Sequence, residues 1–282
     1  MEEKLISEEL RPIILKELRG KRKITFLVGA GLSAESGIPT FRGKDGFWTD
    51  GSRNYTPQEI GTKRMFNLAF DQVWKWFLYR ISICRKAKPN QGHIELSKIE
   101  NLLKDRFTLI SQNVDGLHFE KDSLIKNIHL IHGDLRFMRC GEECTKDIFP
   151  IPTQLVQQER NRDTPFTFED KQLLICPNCG EPTRPHVLWF DEYYNDHHYD
   201  LHQVLRTSKS TGLLFVIGTS GATTLPQKIV ENTIARQGKV IDINPNDNLF
   251  SEKLDRLKNG HRILNNSTPV LKELRKLIEE YN

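Results

Sequence analysis

The stretch Ile24-Thr-Phe-Leu-Val-Gly-Ala-Gly-Leu-Ser-Ala-Glu-Ser-Gly-Ile-Pro-Thr-Phe-Arg42 decides how the rest of the chain is read. Its first five residues are apolar or β-branched, with the length and flanks of a strand buried in a parallel sheet. Gly29 and Gly31 then allow a sharp turn and a close backbone approach to a ligand. Residues 32–36 can open a helix whose free N–H groups suit a pyrophosphate. Read alone, Gly-x-Gly after a strand serves equally well as a plain strand-to-helix turn. A dinucleotide Rossmann fingerprint would carry its third glycine where Ala34 stands, and an acid about twenty residues further on. The next strand-like run comes much later than that. The loop is therefore expected to hold a nucleotide in another way, with a second break at Ser36-Gly37 and an aromatic and a cation at Phe41 and Arg42.

Working outward, six apolar runs read as strands of an α/β sheet: 24–28, 107–111, 128–131, 187–190, 213–217 and 240–243. A polar or glycine-rich cluster follows five of them: Gly29-Ala-Gly31, Gln112-Asn-Val-Asp-Gly-Leu-His118, His132-Gly133, Gly218-Thr-Ser-Gly221 and Asn244-Pro-Asn246. Ligands of open α/β sheets bind beyond the carboxyl ends of the strands. Clusters recurring at that end of five strands describe one composite crevice. His132 closes a buried strand and faces this crevice; a histidine there is either a satisfied polar residue or a general base of suitable pKa. Asn113 and Asp115 lie on the loop after the second strand, where an Asx-turn is the plain alternative to a binding role.

Two segments interrupt the rhythm. Residues 44–90 are rich in aromatics, and Val73, Trp74, Phe77, Leu78 and Ile81 form a helical stripe. Residues 137–185 carry Cys140-x3-Cys144 and Cys176-x2-Cys179 around a polar, proline-containing stretch. Four thiolates match a closed, tetrahedral structural Zn²⁺ site, one without an open position for chemistry. The fifth cysteine, Cys84, falls near the aromatic stripe and reads as a core thiol. The expected organisation is a Rossmann-like parallel sheet with helices on both faces, built from 1–43, 91–136 and 186–282. The inserts 44–90 (helical) and 137–185 (zinc ribbon) form a smaller domain.

The 282 residues suffice for a sizeable core. A formal charge of +4 on 41 basic and 37 acidic residues demands no nucleic-acid partner. No apolar run reaches membrane-spanning length, and residues 1–20 are too charged for a signal peptide. Paired cysteines fit a metal site in a reducing compartment better than disulfides, so the expected location is the cytoplasm.

These residues resemble the sirtuin family of NAD-dependent protein deacylases, of bacterial type. The glycine loop through Arg42, the Gln112–His118 loop, His132-Gly, the cysteine pairs, Pro185-His-Val-Leu-Trp-Phe190, Gly218-Thr-Ser and Ile243-Asn occur in the family's order. The resemblance spans roughly residues 20–275. It implies a cleft that takes NAD and an acyl-lysine protein or peptide and yields nicotinamide, O-acyl-ADP-ribose and free lysine. His132 would deprotonate a ribose hydroxyl, and Asp115 would hold the nicotinamide carboxamide. Asn113 and Gln112 would fix the nicotinamide ribose and a water. Gly29, Ala30, Gly31 and Ser33 would line the phosphates and ribose, Arg42 would meet a phosphate, and Phe41 would shield the ribose face. Gly218, Thr219, Ser220 and Asn244 would serve the adenosine half, with adenine contacts near Gly260 and His261. Val187, Trp189 and Phe190 would pair with the peptide by β-augmentation, and Asp191 would narrow or charge one edge of that groove.

One subgroup of the family removes succinyl and malonyl groups with a Tyr-x-x-Arg pair; Phe77 and Arg80 stand at the matching positions. Three apart on a helix, they are neighbours. Arg80 can receive an acyl carboxylate, whereas Phe77 lacks the hydroxyl. One lost hydrogen bond to a charged group costs about 1.5–3 kcal/mol. Deacetylation with some desuccinylase or demalonylase capacity is therefore expected. The plain alternative makes Phe77 core and Arg80 a solvated charge. An NAD hydrolase or ADP-ribosyltransferase is the alternative at the level of function.

Overall fold

Five of the six expected strands join one parallel sheet in this computed structural model, in which residues 4–40 and 55–281 are described. The strands are β1 (Lys23–Val28), β2 (Phe107–Ser111), β3 (Ile128–Leu130), β4 (Gly133–Cys140), β5 (Ile148–Pro150), β6 (Thr183–Val187), β7 (Thr211–Ile217), β8 (Lys239–Ile243) and β9 (Gly260–Ile263). Six form the main sheet in the order β3-β2-β1-β7-β8-β9, every neighbouring pair parallel. The chain runs from β1 outward to β3, then restarts on the other side of β1 with β7. This reversal puts a crevice at the carboxyl ends of β1 and β7.

Alternate side chains of β1 serve opposite faces, as the pleat requires. Ile24, Phe26 and Val28 pack under helices Leu10–Arg19, Gln91–Leu103 and Ser267–Tyr281. Phe26 stacks between Phe107 and Phe215 of the adjoining strands, with ring centroids 5.1 and 5.0 Å away. Leu27 joins the other core with Leu214 and Val216, under helices Leu201–Ser210 and Thr224–Ala235. Each fully buried aliphatic or phenyl side chain contributes about 1.5–3 kcal/mol. Among the described residues no helix is long and apolar enough to cross a membrane.

A three-stranded antiparallel sheet, β5-β4-β6, sits with a third apolar core. Its helix, Phe70–Lys86, buries the expected stripe of Val73, Trp74, Phe77, Leu78 and Ile81. The Trp74 indole N–H donates to the Thr183 carbonyl at 2.8 Å, tying this helix to β6.

Three expectations need correction. Residues 187–190 are not a strand of the main sheet: β6 ends at Val187 and pairs antiparallel with β4. The sixth parallel strand is instead β9, which holds Gly260 and His261 in register with Val240 and Ile241, so neither lines the cleft. The glycine loop opens only one helical turn, Ala30–Ser33, then a 3₁₀ turn that stops at Gly37 with φ +80°.

Candidate active site

The carboxyl ends of β1, β2, β3, β7 and β8 open into a single cleft of about 820 Å³. Gly31 and Gly218 shape its floor. The Gly31 amide donates to the Gly218 carbonyl at 2.8 Å, and a Cβ on Gly31 would lie 2.6 Å from the Gly218 Cα. Gly218 has φ +59°, and a Cβ there would meet the Leu32 nitrogen at 2.6 Å. Gly29 is equally close to Thr219. A Cβ is excluded at these three glycines because the two loops pack backbone to backbone, and Ala30 and Ser220 beside them border the cleft.

Asn113 is buried, and both hydrogens of its amide are committed: Nδ2 donates to the Gly29 carbonyl at 3.0 Å and to Ser33 Oγ at 3.1 Å. Its Oδ1 is thereby presented as an acceptor beside the cleft. The Ser33 hydroxyl donates to Asp115 Oδ2 at 2.7 Å, and Leu117 N–H donates to Asp115 Oδ1 at 2.9 Å. Burial raises the Asp115 pKa against those two bonds. The hydroxyl of Ser33, the residue expected to line the phosphates and ribose, is engaged with Asp115, Asn113 and His93. Gln112 Nε2 donates to Thr219 Oγ1 at 2.8 Å, joining the β2 and β7 loops.

His132 lies between β3 and β4, where Gly133 (φ +86°) lets the chain pass from one sheet to the other. Its carbonyl accepts from Leu188 N–H at 2.9 Å, so the residue is braced by the segment after β6. Its Nδ1 lies 3.1 Å from the Gln112 carbonyl, which can only accept; Nδ1 therefore carries the hydrogen and Nε2 the lone pair. Burial pushes its pKa down to about 4, leaving a neutral imidazole at pH 7.

Asp242 and Tyr194 were missed in the sequence. Asp242, buried in β8, accepts from Asn244 Nδ2 and from Asn248 Nδ2, the latter at 2.7 Å. A carboxylate that only accepts fixes the Asn244 amide with its nitrogen inward. Only the short polar run after β8 hints at this. Tyr194 approaches His132 from a segment with no motif of its own.

Phe77 and Arg80 both line the cleft. Arg80 is not the solvated charge of the plain alternative: it is buried, its guanidinium carbon 4.8 Å from the Trp76 ring centroid and 5.9 Å from that of Phe77. Burial lowers its pKa to about 10, so it stays charged. Cys84 is buried beside them and also borders the cleft.

Val187, Trp189 and Phe190 reach the cleft, but the run is no free edge. The amides of Leu188, Trp189 and Phe190 already donate to the His132 carbonyl, Glu192 Oε2 and the Gly61 carbonyl. A peptide alongside would have carbonyls, not amides, to pair with. Asp191, expected to narrow or charge one edge of that groove, is exposed, and its carboxylate accepts from Lys63 and Arg64 N–H, at 2.8 and 3.1 Å. Phe41 and Arg42 lie outside the described residues.

The four cysteine sulfurs lie within 4.8 Å of one another, spacing that suits one tetrahedral metal ion. The extra residue of the first pair is absorbed at Glu143, whose φ is +51°. These residues fit Zn²⁺, and the site joins the end of β4 to the Cys176–Cys179 turn.

The model of the Sir2 family matches residues 29–224. An NAD-dependent protein deacylase of Leptospira interrogans is 35% identical over 89% of this chain and 93% of the relative. One from Thermus thermophilus is 33% identical over 82% of each. Among solved structures, a Sir2 homologue in complex with NAD is 29% identical with a TM-score of 0.76, covering 98% of this chain and 94% of the other. A mutant Sir2 homologue with ADP-ribose is 28% identical with a TM-score of 0.78, covering 97% of both.

Proposed function

The chain belongs to the Sir2 family, and from that premise we propose that the cleft is the active site of an NAD-dependent protein-lysine deacylase, with nicotinamide, O-acyl-ADP-ribose and free lysine as products. The observation that carries this reading is the convergence, at one mouth, of a side-chain-free glycine turn, an acceptor oxygen on Asn113 and a neutral imidazole on His132.

The site fits NAD: Gly29, Gly31 and Gly218 let the loops after β1 and β7 pack backbone to backbone beneath the cleft, which keeps its floor low for a pyrophosphate, and Asn244, its amide nitrogen held by Asp242, leaves its amide oxygen to accept from a ribose. When bound, NAD supplies an electrophilic anomeric carbon with nicotinamide as leaving group. Asp115, held by Ser33, is placed to accept from the carboxamide. Asn113 accepts from a ribose hydroxyl, and His132 Nε2 takes the proton of a ribose hydroxyl. The acyl-lysine enters between Trp189, Phe190 and the helix Phe70–Lys86. Phe41 and Arg42 belong to this reading through the resemblance alone.

The same reading assigns residues 1–43, 91–136 and 186–282 to the NAD-binding domain, the remainder to the smaller domain, and the enzyme to the cytoplasm. Arg80 adds a preference through the resemblance: its charged guanidinium borders the cleft, where an acyl carboxylate can meet it, so the acyl pocket accepts acidic chains as well as acetyl.

The test is nicotinamide release with and without an acetyl-lysine peptide. Release that requires the peptide is expected. Release independent of it would instead mark an NAD hydrolase or ADP-ribosyltransferase.

A further inference from the structure

His132 Nε2 lies 2.8 Å from the Tyr194 hydroxyl. Nδ1 faces a carbonyl, so Nε2 has no hydrogen, and the phenol is the donor. The two rings lie 5.9 Å apart at an interplanar angle of 30°. Tyr194 is wedged among Leu27, Ile110, Val204 and their neighbours, while its hydroxyl reaches the cleft. The Thr223 hydroxyl stands beside the phenol oxygen, with its single hydrogen directed either to that oxygen or to Gln112 Oε1 at 3.4 Å. Gln112 in turn supplies the carbonyl that holds Nδ1. The imidazole is thus gripped at both nitrogens, by the Gln112 carbonyl at Nδ1 and the Tyr194 hydroxyl at Nε2.

We propose that Tyr194 is a positioning residue for His132: it pins the neutral tautomer by donating to Nε2 in the free enzyme, and yields that lone pair to the ribose hydroxyl when NAD binds. This rests on reading His132 as the general base. Nε2 has one lone pair, so the phenol and the ribose hydroxyl cannot both donate to it. Burial pushes the phenol up to about 12, so it keeps its proton throughout. Burial and the Gln112 bond account for the shift of the imidazole itself, with no charged side chain among the causes.

The experiment compares Tyr194→Phe with the unaltered enzyme across pH 4–8. A donor to Nε2 favours neutral histidine, so its loss raises the His132 pKa in the free enzyme. The acidic limb of kcat/KM for NAD is expected to move up by about half to one pH unit, the worth of one neutral hydrogen bond. The limb of kcat, which reports the bound complex, is expected to stay in place. Superimposed kcat/KM profiles, or equal shifts in both, overturn the proposal; the second result would make Tyr194 a partner of His132 throughout turnover. If the variant does not fold, the imidazole ¹⁵N shifts of His132 in the unaltered protein decide the matter. A bare, accepting Nε2 at pH 7 is expected, and a protonated one overturns the proposal. Failure of the underlying reading shows separately, as turnover that survives His132→Ala.

Discussion

Ser33 and Asp115 are joined by a 2.7 Å hydrogen bond across the cleft floor, and the same serine oxygen receives Asn113 Nδ2 at 3.1 Å. One hydroxyl from the β1 loop therefore orients two side chains of the β2 loop. Ser33→Ala leaves a buried carboxylate without one of its two donors and frees the Asn113 amide to turn. Leaving such groups unpaired costs about 1–3 kcal/mol. Turnover of NAD is expected to fall about 10–100-fold in kcat/KM, with the β2 loop still anchored by the Leu117 amide. Steady-state kinetics within twofold of the unaltered enzyme would refute the arrangement.

The adenosine side offers a cleaner separation of binding from chemistry. Asp242 faces only donors, the amides of Asn244 and Asn248. Asp242→Asn supplies a donor of its own and lets Asn244 turn its nitrogen toward the cleft. Because the proposed reading puts Asn244 on the adenosine ribose and not at the glycosidic bond, KM for NAD is expected to rise about 10-fold while kcat holds, the worth of roughly one hydrogen bond. A fall in kcat with KM unchanged would place Asp242 elsewhere in the mechanism.

Much of this was readable in the sequence because the signal was local. Buried parallel strands announce themselves as apolar runs, and the clusters after β1, β2, β3, β7 and β8 mark their carboxyl ends. The failures have a common cause. β9 is an edge strand reading Gly-His-Arg-Ile, so it pairs without an apolar signature. Residues 187–190 are apolar because Val187 and Trp189 pack in the small core, yet the amides of Leu188 and Phe190 bond to His132 and Gly61, partners distant in sequence. The bond between Ser33 and Asp115 was missed because only the folded chain brings the two together. Tyr194 carries no motif, and its tie to His132 spans 62 residues.

Acid should weaken the fold well above the range of ordinary carboxylates. Burial lowers His93 and His132 to about 4, His186 to about 3, and His118 further below its usual value. The unfolded chain takes up these protons near pH 6.5, whereas the folded chain resists them. Stability from these histidines is therefore complete above about pH 6.5 and is lost as the pH falls toward 4. The raised carboxyl groups of Asp242 (to about 6) and Asp115 work in the opposite sense, since they bind protons more readily when folded. Four histidines outweigh two carboxyls, so Tm should drop steadily from pH 7 to pH 4.5. A Tm that is flat or rising on acidification, measured by calorimetry, would contradict these burials.

In the proposed reading the acyl preference turns on Arg80. Its guanidinium lies against Trp76 and Phe77 in the cleft and stays charged at neutral pH. An acyl chain ending in a carboxylate gains a charge-assisted bond there, worth about 1.5–3 kcal/mol; an acetyl group reaches no such partner. Arg80→Met keeps the length and apolar contact of the side chain while removing its charge. It is expected to cut kcat/KM on a succinyl-lysine peptide about 10–100-fold and to leave acetyl-lysine within a few-fold. Phe77→Tyr adds a hydroxyl one helical turn away. That hydroxyl should raise succinyl-lysine turnover about 2–10-fold, as one neutral hydrogen bond allows. If both variants change acetyl and succinyl turnover in equal proportion, Arg80 serves the packing of the helix Phe70–Lys86 and takes no part in choosing the acyl group.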